Sequence, residues 1–195
     1  MDSRERYLKN KIKNKTVLDL GVGDTTDRSL HVFINKYAKK TIGVELDKIR
    51  AQRLQKKGFN VIQGNAETIK IEKKFDVVMA GDLIEHLNNV GLFLETVKKH
   101  LKKNGLFIFN TPNAYSINFL IRGLLFGGKV PQFNEHTYLF TEDLITEILK
   151  RYNLKITNIK YFSHKNNNLK SIIIRIFGSI SKRWHENIYF EVHKI

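Results

Sequence analysis

The chain contains no cysteine, and no apolar run in its 195 residues approaches the length needed to cross a membrane. The first absence excludes a disulfide framework and any zinc site built from thiolates. Residues 1–15 are charged and have no apolar centre, so no secretory signal is expected there. Together these observations predict a cytoplasmic protein that is either soluble or peripheral at a membrane.

Acidic residues are scarce beside basic ones: 19 aspartates and glutamates stand against 34 lysines and arginines, a formal net charge of +15 at pH 7. A field of this sign attracts nucleic acid, anionic lipid or acidic metabolites and does not choose among them. The chain has two prolines, and no repeat, low-complexity tract or proline-rich linker is visible. Its length and its 42% hydrophobic content predict a single domain over residues 1–195.

Short apolar runs alternate with amphipathic stretches, which is typical of a parallel sheet with helices on its faces. The predicted strands are residues 16–20, 41–45, 60–63, 75–80, 105–111, 154–161 and 187–193. The predicted helices are residues 30–38, 47–57, 90–101 and 141–152, the last with Thr141 as its N-cap. Two insertions, about 112–138 and 163–185, interrupt this order, and the apolar spacing in each predicts a further helix.

The most informative segment is residues 17–24, where an apolar strand leads into a turn with two glycines, Gly21 and Gly23. This pattern builds a nucleotide-cofactor pocket at the carboxyl end of a strand, and Glu45 ends the next strand where an acid would reach a ribose. Thr26 occupies the position of the third glycine of a dinucleotide-binding loop. Acids in this turn repel a pyrophosphate but suit an ammonium and a sulfonium, which favours S-adenosylmethionine over NAD.

Further motifs follow in a fixed order: residues 17–23 (Val-Leu-Asp-Leu-Gly-Val-Gly), 43–45 (Gly-Val-Glu), 64–67 (Gly-Asn-Ala-Glu), 75–78 (Phe-Asp-Val-Val), 82–87 (Asp-Leu-Ile-Glu-His-Leu), 101–105 (Leu-Lys-Lys-Asn-Gly) and 111–113 (Thr-Pro-Asn). Over residues 14–161 the chain resembles a class I S-adenosylmethionine-dependent methyltransferase, of the group that includes quinone and small-molecule O-methyltransferases. The resemblance implies a three-layer, Rossmann-like α/β fold with a mostly parallel seven-stranded sheet and an antiparallel last strand.

The same resemblance implies roles for individual residues in cofactor binding. Gly21 and Gly23 let the backbone approach the methionine moiety, Asp19 helps to hold its amino end, and Glu45 accepts the ribose hydroxyls. Asn65 and Ala66 contact the adenine. Leu46 and Gly81 complete the set assigned to the cofactor.

Methyl transfer from a sulfonium is an in-line displacement that needs no covalent intermediate, so a general base is optional. Asp82, His86 and His136 are the candidate catalytic residues at the mouth of the fourth strand. In some quinone O-methyltransferases and small-RNA terminal 2′-O-methyltransferases, an acid-x-x-Glu-His motif and a later histidine bind a divalent cation. By that resemblance Asp82, Glu85, His86 and His136 would hold Mg²⁺; the alternative is that the histidines act near the acceptor without a metal.

The two insertions are the expected source of substrate contacts. Their apolar faces are flanked by basic residues, which suits a small or lipid-like acceptor at an anionic membrane surface. These basic residues are Arg122, Lys129, Lys170, Arg175, Lys182 and Arg183. The alternatives are an RNA methyltransferase, using interleaved aromatic side chains as stacking platforms, an NAD-dependent oxidoreductase and a noncatalytic cofactor-binding partner. The sequence leaves the oligomeric state open.

Overall fold

The computed structural model describes residues 3–23, 29–117, 136–162 and 184–195, together with residues 119, 123 and 181. Its helices are α1 (Ser3–Ile12), α2 (Leu30–Tyr37), α3 (Lys48–Lys56), α4 (Val90–His100) and α5 (Glu142–Arg151), and a 3₁₀ turn spans Ile84–His86. Its strands are β1 (Thr16–Leu20), β2 (Lys40–Glu45), β3 (Val61–Gln63), β4 (Phe75–Gly81), β5 (Leu101–Pro112), β6 (Leu154–Phe162) and β7 (Asn187–Lys194).

The seven strands form one sheet in the order β3-β2-β1-β4-β5-β7-β6. The first five are parallel, and β7 runs antiparallel between β5 and β6. The predicted mostly parallel sheet with an antiparallel last strand near one edge is therefore confirmed. Strand order reverses beside β1, so the carboxyl ends of β1, β2 and β4 border one crevice, where ligands bind in open α/β sheets.

Helices cover both faces of the sheet because the central strands are buried on both sides. On one face, Phe93 of α4 and Leu149 of α5 pack with inward residues of β1, β4 and β5 into the larger core. On the other face, Leu8 of α1 and Ile34 of α2 pack against residues such as Val77. A three-layer arrangement results, as predicted.

Helix α1 is an element that the sequence analysis missed. Only Leu8 and Ile12 are buried in its ten residues, so its apolar stripe is too narrow to stand out among the charges. The helix is tied to the sheet through the carboxylate of Glu191, which accepts hydrogen bonds from the Tyr7 hydroxyl at 2.9 Å and Lys11 Nζ at 2.8 Å. These contacts between residues about 180 positions apart have no local signal in the sequence.

The other boundaries follow the predictions closely, with one correction at α4 and β5. Helix α4 ends at His100, and the strand begins at once with Leu101, where a strand was predicted only from residue 105. The pairing of β4 with β5 shifts register between Phe75 and Val77, so β5 carries an irregularity that hides its first residues from a period-two pattern. The predicted N-cap of α5 is confirmed: Thr141 Oγ1 accepts the Leu144 N–H at 3.1 Å.

Asp76 joins three strands at the amino end of β4. Its carboxylate accepts Lys102 Nζ at 2.7 Å, and it accepts both the Thr16 hydroxyl at 2.6 Å and the Thr16 N–H at 2.8 Å. The hydrogen bonds from Lys102 and Thr16 hold the pKa of Asp76 well below its usual range. The ionised carboxylate therefore stabilises the folded state. This stabilisation is fully present above the pKa that Asp76 has in the unfolded chain, and it is lost as the pH falls toward the lower pKa that Asp76 has in the folded protein.

Replacing Asp76 with asparagine should lower the free energy of unfolding at pH 7 by about 1–3 kcal/mol, because charged hydrogen bonds are lost. The difference from the unaltered protein should shrink below roughly pH 4, where Asp76 would be protonated in the unfolded chain. Urea unfolding at pH 7 and in the acid range measures both, with the exposed Glu72→Gln as control. A variant equally stable at pH 7, or a gap that widens in acid, would contradict this account.

The described residues leave out most of the two insertions. The two additional helices predicted there therefore lie outside the described residues. The single-domain division with insertions at about 112–138 and 163–185 therefore stays a prediction. Among the helices that the structure describes, none combines the length and apolar character required to span a bilayer.

Candidate functional site

A cavity of about 350 Å³ opens at the carboxyl ends of β1, β2 and β4. The strands deliver a glycine turn after β1, an acid at the end of β2 and a loop after β4, so residues far apart in sequence line one space. The described lining residues are Gly21, Gly23, Val44, Glu45, Leu46, Arg50, Gly64, Asn65, Ala66, Glu67, Asp82, Leu83, His86, Leu87 and Asn88. The volume lies in the range of small-molecule and cofactor sites.

The glycine turn after β1 requires a left-handed backbone at two positions. Gly21 has φ +74° and Gly23 has φ +67°, a region that side chains with a Cβ rarely adopt. A Cβ on Gly21 would lie 2.6 Å from Leu83 Cδ1, whereas one on Gly23 would meet no described atom within 4 Å. Gly21 thus permits close packing against the β4 loop, and Gly23 leaves the cavity open for a ligand.

Glu45 is the acid that fixes the shape of the cavity. It is buried, and its two oxygens accept different backbone N–H groups: Oε2 accepts Gly23 N–H at 2.8 Å, and Oε1 accepts Asp47 N–H at 2.9 Å. Arg50 Nη1 lies 3.9 Å from Oε1. Since a carboxylate offers about four acceptor positions, Glu45 holds both loops and keeps acceptor capacity for hydroxyl groups of a ligand.

Asp19 points away from the cavity toward α2. Its Oδ2 lies 2.7 Å from His31 Nδ1, both side chains are buried, and Asp19 is not among the described lining residues. Burial raises the pKa of the Asp19 carboxyl, and the hydrogen bond with His31 lowers it in part. The structure therefore assigns Asp19 a contact between β1 and α2, and its role at the amino end of the cofactor stays a prediction.

At Gly43, the first residue of the Gly-Val-Glu motif, there is no room for a side chain because the His31 ring lies against β2. A Cβ there would be 2.7 Å from His31 Cε1, 2.7 Å from Val22 Cγ2 and 3.1 Å from Val61 Cγ2. Replacing Gly43 with alanine should lower the free energy of unfolding by about 1–3 kcal/mol through overpacking. The midpoint and slope of urea unfolding measure the loss, and an unchanged midpoint would show that the packing argument is wrong.

The remaining predicted cofactor residues divide into two groups. Leu46, Asn65 and Ala66 line the cavity, with Leu46 65% exposed and the Asn65 side-chain oxygen accepting the Glu67 N–H at 2.8 Å. Gly81 is not among the described lining residues; a Cβ there would meet Leu30 Cδ2 at 2.5 Å. Its small size thus serves the packing of β4 against α2.

Seven of the described lining residues had no role predicted from the sequence: Val44, Arg50, Gly64, Glu67, Leu83, Leu87 and Asn88. The Glu67 carboxylate accepts the Asn88 N–H at 2.8 Å and joins the loop after β3 to the loop after β4. Glu67 lies within the Gly-Asn-Ala-Glu motif, which was the available signal. Arg50 lies in the first turn of α3, three residues after the N-cap Asp47. An N-cap at Asp47 places Arg50 close to the end of β2, and this was the signal available in the sequence.

A second cluster adjoins the cavity after β4. The potential ligand atoms of Glu85, His86 and His136 all lie within 4.8 Å of one another, and the two imidazole rings meet edge to face with centroids 4.5 Å apart. The backbone carbonyl of Glu85 accepts the N–H groups of Thr137 at 2.8 Å and Tyr138 at 3.1 Å. These two bonds bring His136, about fifty positions away in sequence, to the 3₁₀ turn.

The carboxyl of Glu85 is 1% exposed, and neither of its oxygens has a hydrogen-bond partner among the described groups. Burial raises the pKa of Glu85 to about 7, and the negative charge of Asp82 contributes in the same direction. Thr111 lies close enough to lower the pKa in part, but its hydroxyl does not reach normal hydrogen-bond geometry. A buried carboxylate without partners is costly, so either a proton or a cation would relieve it.

Asp82, the fourth predicted metal ligand, does not belong to this cluster. It is exposed, lines the cavity and has φ +46°, a left-handed conformation that aspartate tolerates better than most residues. Its Oδ1 accepts Asn110 Nδ2 at 2.6 Å. The structure thus brings three of the four predicted ligands together and turns the fourth toward the cavity.

A family model described as a methyltransferase domain matches residues 1–159. The chain belongs to this family. Solved structures confirm the fold of this chain. An S-adenosylmethionine-dependent methyltransferase from Clostridium acetobutylicum superposes with a TM-score of 0.66 at 16% identity, and the match covers 100% of this chain and 92% of that protein. Magnesium protoporphyrin IX methyltransferase from Synechocystis PCC 6803, solved with bound SAH, has a TM-score of 0.68 at 15% identity over 100% and 81% of the two chains.

Curated relatives in sequence are named ubiquinone biosynthesis O-methyltransferase. The protein from Rickettsia typhi is 27% identical over 161 residues, and the match covers 77% of this chain and 64% of the relative. The protein from Rickettsia conorii is 34% identical over 107 residues, 52% and 36% of the two chains. This chain spans less than two thirds of the length of these relatives. Class I methyltransferase membership is confirmed, which argues against the NAD-dependent oxidoreductase alternative.

Proposed function

We propose that this protein transfers a methyl group from S-adenosylmethionine to an oxygen of a small or lipid-like acceptor. The observation that carries the proposal is the cavity between the glycine turn and Glu45, whose carboxylate binds both adjoining backbone segments. Relatives named ubiquinone biosynthesis O-methyltransferase support oxygen as the reacting atom. A structural neighbour with bound SAH supports the cofactor.

The charge of the cavity suits a cationic cofactor. Glu45, Glu67 and Asp82 all line it, while Arg50 is the basic residue among the described lining residues. In a partly enclosed space these carboxylates favour the ammonium and sulfonium of S-adenosylmethionine over the phosphates of a dinucleotide. Glu45 would accept the ribose hydroxyls, and the side chains of Asn65 and Ala66 would border the adenine.

The reaction is balanced by transfer of one methyl group and loss of one proton. The acceptor oxygen attacks the methyl carbon, the carbon–sulfur bond breaks, and S-adenosylhomocysteine leaves while the acceptor proton passes to a base or solvent. His86 lines the cavity and would take that proton, with the His136 ring in edge-to-face contact beside it. Alternatively, Glu85, His86 and His136 would hold a divalent cation, which when bound polarises an acceptor oxygen and lowers its pKa.

The segment that carries His136 supports an apolar acceptor. Leu139 is 50% exposed and Tyr138 36% exposed, and the Tyr138 hydroxyl donates to the carbonyl of Asn88, a residue of the cavity wall. An anionic membrane surface would deliver a lipid-linked acceptor to a chain of charge +15. Flotation with anionic and neutral liposomes tests this part, and equal absence from both lipid fractions would remove it.

RNA as acceptor has weaker support. Seven aromatic residues could stack on bases: Tyr115, Phe119, Phe126, Phe133, Tyr138, Tyr161 and Phe162. Of these, Tyr161 donates to the carboxylate of Glu142, and Phe162 packs edge to face on Tyr189. Both side chains are therefore engaged in the fold. Salt-dependent RNA binding followed by methylation of RNA would be required to revive this alternative.

The test is a transfer assay with labelled S-adenosylmethionine and a matched panel of acceptors: a catechol, the same catechol with an alkyl tail, the corresponding aniline and a short RNA. The proposal predicts a methyl ether on the catechols, one S-adenosylhomocysteine per methyl group, and faster transfer to the tailed compound. His136→Ala should reduce transfer while leaving S-adenosylhomocysteine binding intact. Methylation confined to the aniline or the RNA would refute oxygen transfer to a small acceptor.

A further inference from the structure

We propose that His100 and Thr96 of helix α4 are positioning residues for the cofactor, because they hold the loop after β3 that borders the adenine end of the cavity. The inference deepens the proposed function and rests on it for the identity of the ligand. Neither side chain is among the described lining residues of the cavity, so both would act through the loop.

The loop after β3 has little regular structure of its own. Residues 64–74 all belong to the described part of the chain, and they form turns and bends with no helix or strand. The Gly64 N–H donates to the carbonyl of Glu45 at 2.9 Å, which ties the start of the loop to the end of β2. The position of the rest depends on what its later residues contact. Four of its residues line the cavity: Gly64, Asn65, Ala66 and Glu67.

His100 holds the far part of this loop. It is the last residue of α4 and 3% exposed, and its Nε2 accepts the Ile71 N–H at 3.0 Å. A ring nitrogen that accepts a hydrogen bond carries no proton, so the ring proton is on Nδ1, which donates to the carbonyl of Thr96 at 2.7 Å. Both nitrogens of a neutral imidazole are therefore used to join the loop to the last turn of α4.

Thr96 adds a second link one turn earlier in the helix. Its buried hydroxyl donates to the backbone carbonyl of Glu67 at 2.6 Å. Inside a helix, a threonine hydroxyl often bonds the carbonyl four residues back, whereas this one bonds the loop. The carboxylate of the same Glu67 accepts the Asn88 N–H at 2.8 Å, so this residue of the cavity wall is held by its backbone and by its side chain.

The residue types on the buried face of α4 support this role. A helix that only packs on a sheet needs an apolar stripe, and a buried hydroxyl or imidazole costs free energy unless it is hydrogen-bonded. In α4, two polar residues stand among the apolar ones, and each has its partner in the backbone of the loop. The buried residues of α4 are Phe93, Leu94, Thr96, Val97 and His100.

Loss of either link would weaken cofactor binding although no ligand contact is altered. Without His100 Nε2 the buried Ile71 N–H loses its acceptor, and the loop would spend part of its time away from the cavity. The apparent dissociation constant rises as the fraction of molecules with the loop in place falls. The rate at saturating S-adenosylmethionine would not change, because the cost falls on binding alone.

Two substitutions separate the two nitrogens of His100. In His100→Gln, the amide oxygen reaches about as far as Nε2 and can accept the Ile71 N–H. In His100→Asn, the shorter amide reaches only about as far as Nδ1, so the bond to the loop is lost. Thr96→Val removes the hydroxyl of the second link at nearly constant volume.

The matched control is His193→Asn, since His193 lies in β7 and its Nδ1 is 3.1 Å from the carbonyl oxygen of Gly105. Titration calorimetry of the full chain measures the affinity for S-adenosylhomocysteine. Hydrogen exchange resolved by peptide measures the opening of residues 64–74 in the free protein. Far-ultraviolet circular dichroism at the titration temperature verifies that each variant is folded.

His100→Asn and Thr96→Val should each raise the dissociation constant of S-adenosylhomocysteine by at least about fivefold and accelerate exchange in residues 64–74. His100→Gln and His193→Asn should leave both within about twofold of the unaltered protein. Unchanged affinity in His100→Asn, or an equal loss in His100→Gln, would overturn the role of His100. Unchanged affinity in Thr96→Val would overturn the second link, and this variant decides alone if His100→Asn does not fold.

Failure of the proposed function has a different signature. The unaltered protein would then not bind S-adenosylhomocysteine, whereas the exchange rates of residues 64–74 would still show whether His100 and Thr96 hold the loop.

Discussion

Replacement of Glu45 by alanine should raise the dissociation constant of S-adenosylhomocysteine by about 100-fold, equivalent to about 2.7 kcal/mol. The side chain would lose charged hydrogen bonds to the ribose, each of which contributes about 1.5–3 kcal/mol. It would also release the N–H groups of Gly23 and Asp47, so the two loops that border the cavity lose their common acceptor. Titration calorimetry of the purified variant measures the affinity.

Glu72→Ala is the matched control for this change, since Glu72 is an exposed glutamate outside the described cavity wall. It removes the same side chain and the same charge, and we expect it to leave the affinity within about twofold. An equal, small loss of affinity in the two variants would mean that only net charge matters. The assignment of Glu45 to the ribose would then be wrong.

Replacement of Gly23 by alanine should weaken S-adenosylhomocysteine binding by at least about tenfold while the protein stays folded. The new methyl group meets no described atom within 4 Å, so its cost to folding is backbone strain at φ +67°, about 1–2 kcal/mol. In the complex, the same methyl group would occupy space that the cofactor needs. Affinity should therefore fall more than stability does.

Gly58→Ala separates these two effects. Gly58 has φ +86°, and a Cβ there would likewise meet no described atom within 4 Å, but Gly58 lies at the end of α3 and outside the described cavity wall. The two variants should show similar shifts in urea midpoint, and only Gly23→Ala should bind S-adenosylhomocysteine weakly. Similar affinities in both variants would show that the Gly23 backbone does not approach the cofactor.

The sheet was predictable because its signals are local. Each parallel strand is a short apolar run that ends in a polar turn, and the glycine turn with Glu45 marks the switch point where a cofactor binds. Gly21, Gly23 and Glu45 line the cavity, and their contacts with a cofactor there stay a prediction. Helix α1 was missed because two buried residues in ten give almost no periodic pattern.

The features that escaped prediction depend on contacts across the chain. The carboxylate of Asp82 accepts a hydrogen bond from Asn110, which lies 28 positions further along the chain. The orientation of Asp19 depends on His31, whose ring lies against Gly43 of the neighbouring strand. A motif gives the order of side chains along the backbone, whereas their direction is decided by partners that only folding brings together.

The most direct test of the central claim is thermal unfolding of the unaltered protein with S-adenosylhomocysteine and, in parallel, with NAD. A ligand that binds only the folded state raises the midpoint, and at about 100 times its dissociation constant it adds about 2.7 kcal/mol to the free energy of unfolding. A cavity built around Glu45 and the glycine turn predicts a clear rise with S-adenosylhomocysteine and none with NAD. A rise with NAD alone, or no rise with S-adenosylhomocysteine at high excess, would contradict the claim that this cavity serves a methyl donor.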